Sequence, residues 1–229
     1  MDTDIKMSVK ATDTKAQYDN KAKQLIGHKI ILAHILVNTV EEFKGMNPAD
    51  VVQYIEGEPH ISSVPIDGGV TNVEKQEKVI GLNTENSEIN EGMIRFDIIF
   101  YVRMQDGLSQ IIVNVEAQKA EPSSYDILNR AIFYVSRMIS SQKGRDFVKS
   151  NYNNIKRVYS IWICMNVDEH SMSHIHLTRD DIIGSHNWKG DINLLNIVLV
   201  GIAEDLPEKT EKYELHRFTI FKVKCGRKA

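Results

Sequence analysis

The chain has 229 residues, 42% of them hydrophobic and 26% charged, which excludes both a disordered polypeptide and a disulfide-stapled secreted module. Its formal charge of −3, from 28 basic and 31 acidic residues, gives no global attraction to a polyanion, so any nucleic-acid binding must come from a local patch. The two cysteines, Cys164 and Cys225, cannot form a zinc site between them, the start MDTDIKMSVKATDTKAQ lacks the apolar core of a secretory signal, and no apolar run nears the roughly 20 residues of a membrane helix.

These features lead us to expect a cytoplasmic protein with no membrane attachment and no organic cofactor. Residues 1–14 are expected to be disordered, 15–206 to form one domain and 207–229 to be a charged tail. From Asp13 to Asn38, Ala22, Leu25, Ile26, Ile30, Ala33, Leu36 and Val37 recur at helical spacing, with Lys21, Lys23 and Lys29 placed elsewhere on the helix. Asn47-Pro48 opens a second, shorter helix through Val51, Val52, Tyr54 and Ile55, with Asn47 as N-cap and Pro48 in the first turn. Residues 57–92 read as loop, with a short strand at Lys78–Leu82.

The next stretch carries most of the information. Met93–Met104 and Ser109–Lys119 are strand-like, and Asp106-Gly107 between them is a two-residue hairpin signal because both turn positions need positive φ. Centring the hairpin there makes the numbers of paired residues total 213. Phe96, Ile98, Phe100, Val102 and Met104 then share an apolar face with Ile111, Val113, Val115 and Ala117. Arg95, Asp97, Ile99, Tyr101 and Arg103 share the other face with Gln110, Ile112, Asn114, Glu116 and Gln118. A two-residue slip would preserve the same faces.

Beyond the hairpin, Pro122 opens a helix to about Gln142, with Ile127, Ala131, Tyr134, Val135 and Met138 as its apolar stripe and Asp126, Arg130, Phe133 and Arg137 as a mixed face beside it. Arg157–Met165 and Leu194–Ile202 read as buried strands, with Cys164 packed as a small apolar side chain. A polar, His-bearing segment and a Gly190-Asp191 turn lie between them. The order implies an α/β fold, a mixed sheet flanked by helices.

The hairpin arithmetic places Asp97 directly opposite Glu116. Side chains so paired have Cβ atoms about 4.5–5.5 Å apart, and like charges there repel. Two readings stand side by side. A hard divalent cation lies between them, with Gln118 on the same face orienting a water and Lys119 on the opposite face. Alternatively, Arg95 and Arg103 neutralise the pair on a solvated outer face.

Asp97, eighteen intervening residues and Glu116-Ala117-Gln118 resemble the D…E-x-K/Q signature of the PD-(D/E)xK nuclease superfamily. The segments IRFDIIF, IIVNVEAQKAEPSSYDILNRAIFYVSRMISSQKGRDF and IKRVYSIWICMN are similar to one branch of it, the Rpn-type (recombination-promoting) nucleases and transposase-related proteins, over about Tyr18 to Leu215. The resemblance implies a restriction-endonuclease-like αβββαβ core and cleavage of phosphodiesters in double-stranded DNA. It implies Mg²⁺ or Mn²⁺ on Asp97 and Glu116, a link to transposition or recombination in mobile elements, and a homodimer. Gln118 stands where the wider superfamily often has lysine; it can hold a water but brings no charge. Arg130 and Tyr134 match the branch's R-x3-Y pattern, giving Arg130 a phosphate or a carboxylate to contact and leaving Tyr134 between a DNA-binding and a core role.

Other features read more simply. Lys143, Arg145, Lys149, Lys156 and Arg157, with Tyr152, form a basic stretch that could touch phosphate, although any one of them is expected to be a solvated loop residue; Lys21, Lys23 and Lys29 share that ambiguity. Arg137 is expected at an ordinary amphipathic edge and His170, His174, His176 and His186 in an exposed loop rather than a metal site, while the sequence does not say whether Glu41 or Glu42 reaches the site and neither is assigned to it. Members of this branch continue with further helices beyond an ELHR-like segment, whereas Glu214-Leu215-His216-Arg217 here runs into FTIFKVKCGRKA, which reads as a truncation or a frame change. Alternatives to an enzyme are a nuclease-fold module that binds nucleic acid without cutting it, and a regulatory factor acting through protein contacts.

Overall fold

The hairpin register required by the turn and the alternating pattern is the one found in the computed structural model. Strands β4 (Ile98–Arg103) and β5 (Gln110–Gln118) pair antiparallel, from Ile98 with Val115 to Arg103 with Gln110. The structure describes residues 22–61, 85–88, 92–95, 97–105, 110–118, 122–205 and 215. The Asp106-Gly107 turn, the Lys78–Leu82 strand, Lys21, Lys119, Cys225 and the 1–14 segment lie outside the described residues, as does all of 207–229 except Leu215.

Six strands form a mixed sheet in the order β1-β4-β5-β6-β8-β7. β1 is Ile55–Ile61, β6 Arg157–Met165, β7 Ser171–His176 and β8 Leu195–Ile202. β4 pairs antiparallel with β1 on one side and β5 on the other, β5, β6 and β8 run parallel, and β7 closes the far edge antiparallel to β8. A separate two-stranded ladder joins β2 (Glu85–Glu88) to β3 (Gly92–Arg95). The main helices are α1 (Lys29–Thr39), the single turn α2 (Pro48–Val51) and α3 (Ile127–Ser140). The fold is α/β, with helices on both faces of the sheet. No helix among the described residues is long and apolar enough to cross a membrane.

Each sheet face has its own core. Ile98, Phe100, Val102, Val113 and Val115 pack against Leu32, Ile35 and Leu36 of α1, as the apolar face predicts, and Leu215 is buried in the same cluster. The opposite face is no solvated surface. Ile99 and Ile112 pack under Ile127, Ala131, Val135 and Met138 of α3, together with Val158, Trp162 and Ile197. Parallel neighbours need a crossover, and α3 is the one between β5 and β6.

Several boundaries differ from the sequence reading. Helical residues 22–26 are separated from α1 by Gly27 and His28, whose extended backbone (φ −65, ψ 129) breaks the continuous 13–38 helix. Gly27 meets Ile61 so closely that a Cβ there would come within 2.4 Å of the Ile61 Cδ1 methyl. The Asn47 side chain caps α2 by accepting the Ala49 N–H at 3.0 Å, but the helix soon tightens and Ile55 begins β1, so the sheet extends into the region read as loop. The Met93–Met104 run is divided between β3 and β4. Pro122 does not open the third helix: residues 123–125 bend first, Asp126 occupies the N-cap in an extended conformation, and helix starts at Ile127. The His-bearing segment includes β7, an edge strand whose exposed faces leave no apolar alternation to detect.

Candidate active site

The parallel β5–β6 arrangement brings the C-terminal part of β5 beside Trp162, Ile163 and Cys164, and α3 passes over the same face. Asp97, immediately before β4, continues the hairpin alignment and meets Glu116. The Asp97 backbone N–H donates to Glu116 Oε1 at 3.0 Å, and the Ala117 N–H donates to Asp97 Oδ2 at 3.1 Å. Each carboxylate therefore accepts a backbone N–H of the facing strand, Glu116 that of Asp97 and Asp97 that of Ala117, where a regular ladder would use backbone alone.

Both acids are buried, Asp97 to 3% exposure and Glu116 to 0%. Burial first, and the Asp97 carboxylate second, push the Glu116 carboxyl well above its ordinary range. Its Oε2 accepts no hydrogen bond among the described residues, although the Asn114 amide and the Arg130 charge both favour ionisation. An uncompensated buried oxygen of this kind costs free energy unless a cation or donor arrives.

The counter-charge in the structure is Lys23. Its Nζ lies 2.7 Å from Asp97 Oδ1, and both side chains are 4% exposed. Neither a solvated role nor a phosphate contact fits so buried a lysine. Arg103, read as a neutralising arginine, instead bonds Glu56 at the hairpin's other end, at 2.6 Å. Lys23 stands three residues before the buried Ile26, but nothing in that spacing points to its acid partner.

Gln118, half-buried, projects from the Glu116 face two residues further along β5. Arg130 donates through Nη1 to the Tyr125 hydroxyl and through Nη2 to the Tyr134 hydroxyl at 2.7 Å. Its guanidinium carbon stands 4.9–5.5 Å from the ring centres of Tyr125, Tyr134 and Trp162. Burial pulls the Arg130 pKa down, but the tyrosines and Glu116 outweigh it and hold the group charged. Tyr134 is 7% exposed and packs on Trp162 at 5.4 Å, so it is a core residue with its hydroxyl committed to Arg130.

The remaining candidates lie apart. Arg157 pairs in register with Ile111, at the other end of β5 from Glu116, and binds Glu42 and Asp191, which keeps Glu42 away from the pair. Arg145 and Lys156 both bind Asp146, so much of the expected basic stretch is internally neutralised, while Lys143 and Lys149 are exposed. Arg137 is buried at 4% rather than at an amphipathic edge. The Ala203 N–H donates to His170 Nδ1 at 3.2 Å and Nε2 meets the Asp205 carbonyl at 2.6 Å, so the ring ties down a loop. His174 contacts Asn196 at 3.0 Å and His186 packs on Trp188. No group of three or more His, Cys, Asp or Glu side chains able to hold an ion occurs among the described residues.

Searches against family models, curated proteins and solved structures give no match to the chain.

The donor set of the acid pair fits a hard cation in its chemistry: two carboxylates face each other, one with a buried oxygen that accepts no hydrogen bond. Asp97 and Glu116 would be its protein ligands.

Proposed function

We propose that the chain is a metal-dependent DNA endonuclease of the PD-(D/E)xK type, of the Rpn or transposase-related branch that its sequence resembles. The observation that carries this reading is the interlocked Asp97–Glu116 pair, with the second Glu116 oxygen left without a hydrogen bond in a buried site. The order α1, β1, β4, β5, α3, β6 supports it, because three antiparallel strands followed by a helical crossover and a parallel strand make the αβββαβ arrangement which that resemblance implies.

Hydrolysis of a phosphodiester needs a water in line with the leaving oxygen and positive charge to meet the charge that develops on the phosphorus oxygens. When bound, a divalent ion supplies an acidified water and that countercharge. Asp97 and Glu116 would hold it between paired strands. Gln118 orients the water by hydrogen bonding without adding charge. Arg130, fixed by two tyrosine hydroxyls and Trp162, is a positioning residue that favours the ionised Glu116.

The test is Mg²⁺-dependent nicking of supercoiled plasmid. The wild-type chain nicks, chelation abolishes it, and Asp97→Asn and Glu116→Gln each lower the rate by at least about 100-fold, the scale of losing one preorganised group around the reacting centre. Nicking that is indifferent to Mg²⁺ or to both substitutions overturns the proposal. A second reading, a nuclease-fold module that binds nucleic acid without cutting it, is favoured by the Lys23–Asp97 ion pair, which already neutralises one acid. Salt-sensitive DNA binding without cleavage, retained in both variants, selects it.

A further inference from the structure

We infer that Lys23 is a resident second cation of the Asp97–Glu116 pair, so that the site takes one divalent ion and not two. This rests on the reading above that the pair holds a metal.

The argument is one of charge and place. Lys23 Nζ sits 2.7 Å from Asp97 Oδ1, within contact distance and nearly sealed from water. Asp97 Oδ2 is occupied by the Ala117 N–H and Glu116 Oε1 by the Asp97 N–H. Glu116 Oε2 is the carboxylate oxygen of the pair with neither a hydrogen bond nor an ion pair among the described residues. The vacant capacity is therefore on the Glu116 side, and the Asp97 side already faces a positive charge.

A two-ion clamp of the kind that holds both the attacking and the leaving oxygen concentrates four positive charges in a few ångströms, and carboxylates must balance them. With both acids ionised, as metal ligands would be, two acids and one lysine leave one net negative charge. One divalent ion turns that into one net positive charge, the complement of a single phosphodiester. A second ion would leave three, with no third carboxylate close enough among the described residues to offset it. Arg130, which attracts Glu116, adds to the same imbalance. Lys23 supplies at Asp97 the positive charge that a second ion would bring.

The experiment counts Mn²⁺ on the full chain by electron paramagnetic resonance and measures its affinity by titration calorimetry. Wild type binds one Mn²⁺ that is lost in Asp97→Asn and in Glu116→Gln. Lys23→Gln binds Mn²⁺ at least about tenfold more tightly or takes up a second ion, because a neighbouring positive charge has gone. Lys23→Arg keeps the count at one. Two Mn²⁺ lost together from wild type on acid substitution overturn the inference, and so does unchanged or weaker binding in Lys23→Gln. The metal-site reading survives both results. No Mn²⁺ dependent on Asp97 or Glu116 overturns that reading and this inference together. Should Lys23→Gln not fold, the wild-type and Lys23→Arg counts still decide.

Discussion

The α3-covered face of the sheet carries an ionic cluster at each end, and their balances are opposite. At one end a single carboxylate, Asp146, receives the Tyr101 hydroxyl at 2.8 Å, Lys156 Nζ at 2.5 Å and Arg145 Nε at 2.7 Å. At the other end, about 13 Å along β5 at the rise of a strand, two carboxylates lie together and one lysine pairs with Asp97. Burial pushes up the carboxyl in both places. Three donors outweigh it at Asp146, whose pKa falls below the ordinary value, while at Glu116 the neighbouring Asp97 adds to it and the pKa rises. A satisfied cluster of this kind has a structural explanation complete in itself. A deficient one is a stability cost that folding alone does not explain, and such places mark functional sites.

The sharpest way to break the contrast is Asp97→Ala. Lys23 would stay buried and lose its ion pair with Asp97, and the loss should be about 3–5 kcal/mol in chemical denaturation of the metal-free chain. Asp146→Asn should cost less, about 1–3 kcal/mol, since it weakens hydrogen bonds to charged donors that are themselves nearer to water than Lys23. Its pH dependence has a definite sign. The folded-state pKa of Asp146 is depressed, so its stabilisation is fully present above the ordinary carboxylate value and disappears as pH falls through the lower one. Wild type and Asp146→Asn should therefore differ by a constant amount at neutral pH and converge below about pH 4. The smallest effect should have the opposite sign. Glu116→Gln removes a carboxyl that its surroundings disfavour when charged, and should raise the stability of the metal-free chain by up to about 1 kcal/mol while removing the proposed activity.

The central hairpin was legible because two independent signals, a turn that needs positive φ and an unbroken apolar alternation, agree on the same alignment, and Asp97 beside Glu116 follows from it. β6 was legible for a related reason: RVYSIWICM is buried on both faces and so reads as continuous apolar chain. β1 and β7 were not, because IEGEPHI and SMSHIH lie at the two edges of the sheet, where much of each strand faces water and packing imposes no pattern. Lys23 shows a different limit. A charged residue near an apolar stripe is ordinarily solvated, and its burial depends on an acid some seventy positions away in the chain. The tyrosine cage about Arg130 is hidden for the same reason, since it is completed by Trp162 from a different element.

That tryptophan has a use beyond packing. The chain has two indoles, and they occupy opposite extremes: Trp162 is 0% exposed, with Nε1 donating to Ser160 Oγ at 2.9 Å, and Trp188 is 72% exposed. A water-borne quencher such as iodide reaches the second and not the first, so the unquenched fluorescence comes from the ring that touches Arg130 and Tyr134. The molecule thus carries its own optical gauge beside the acid pair, readable without any label.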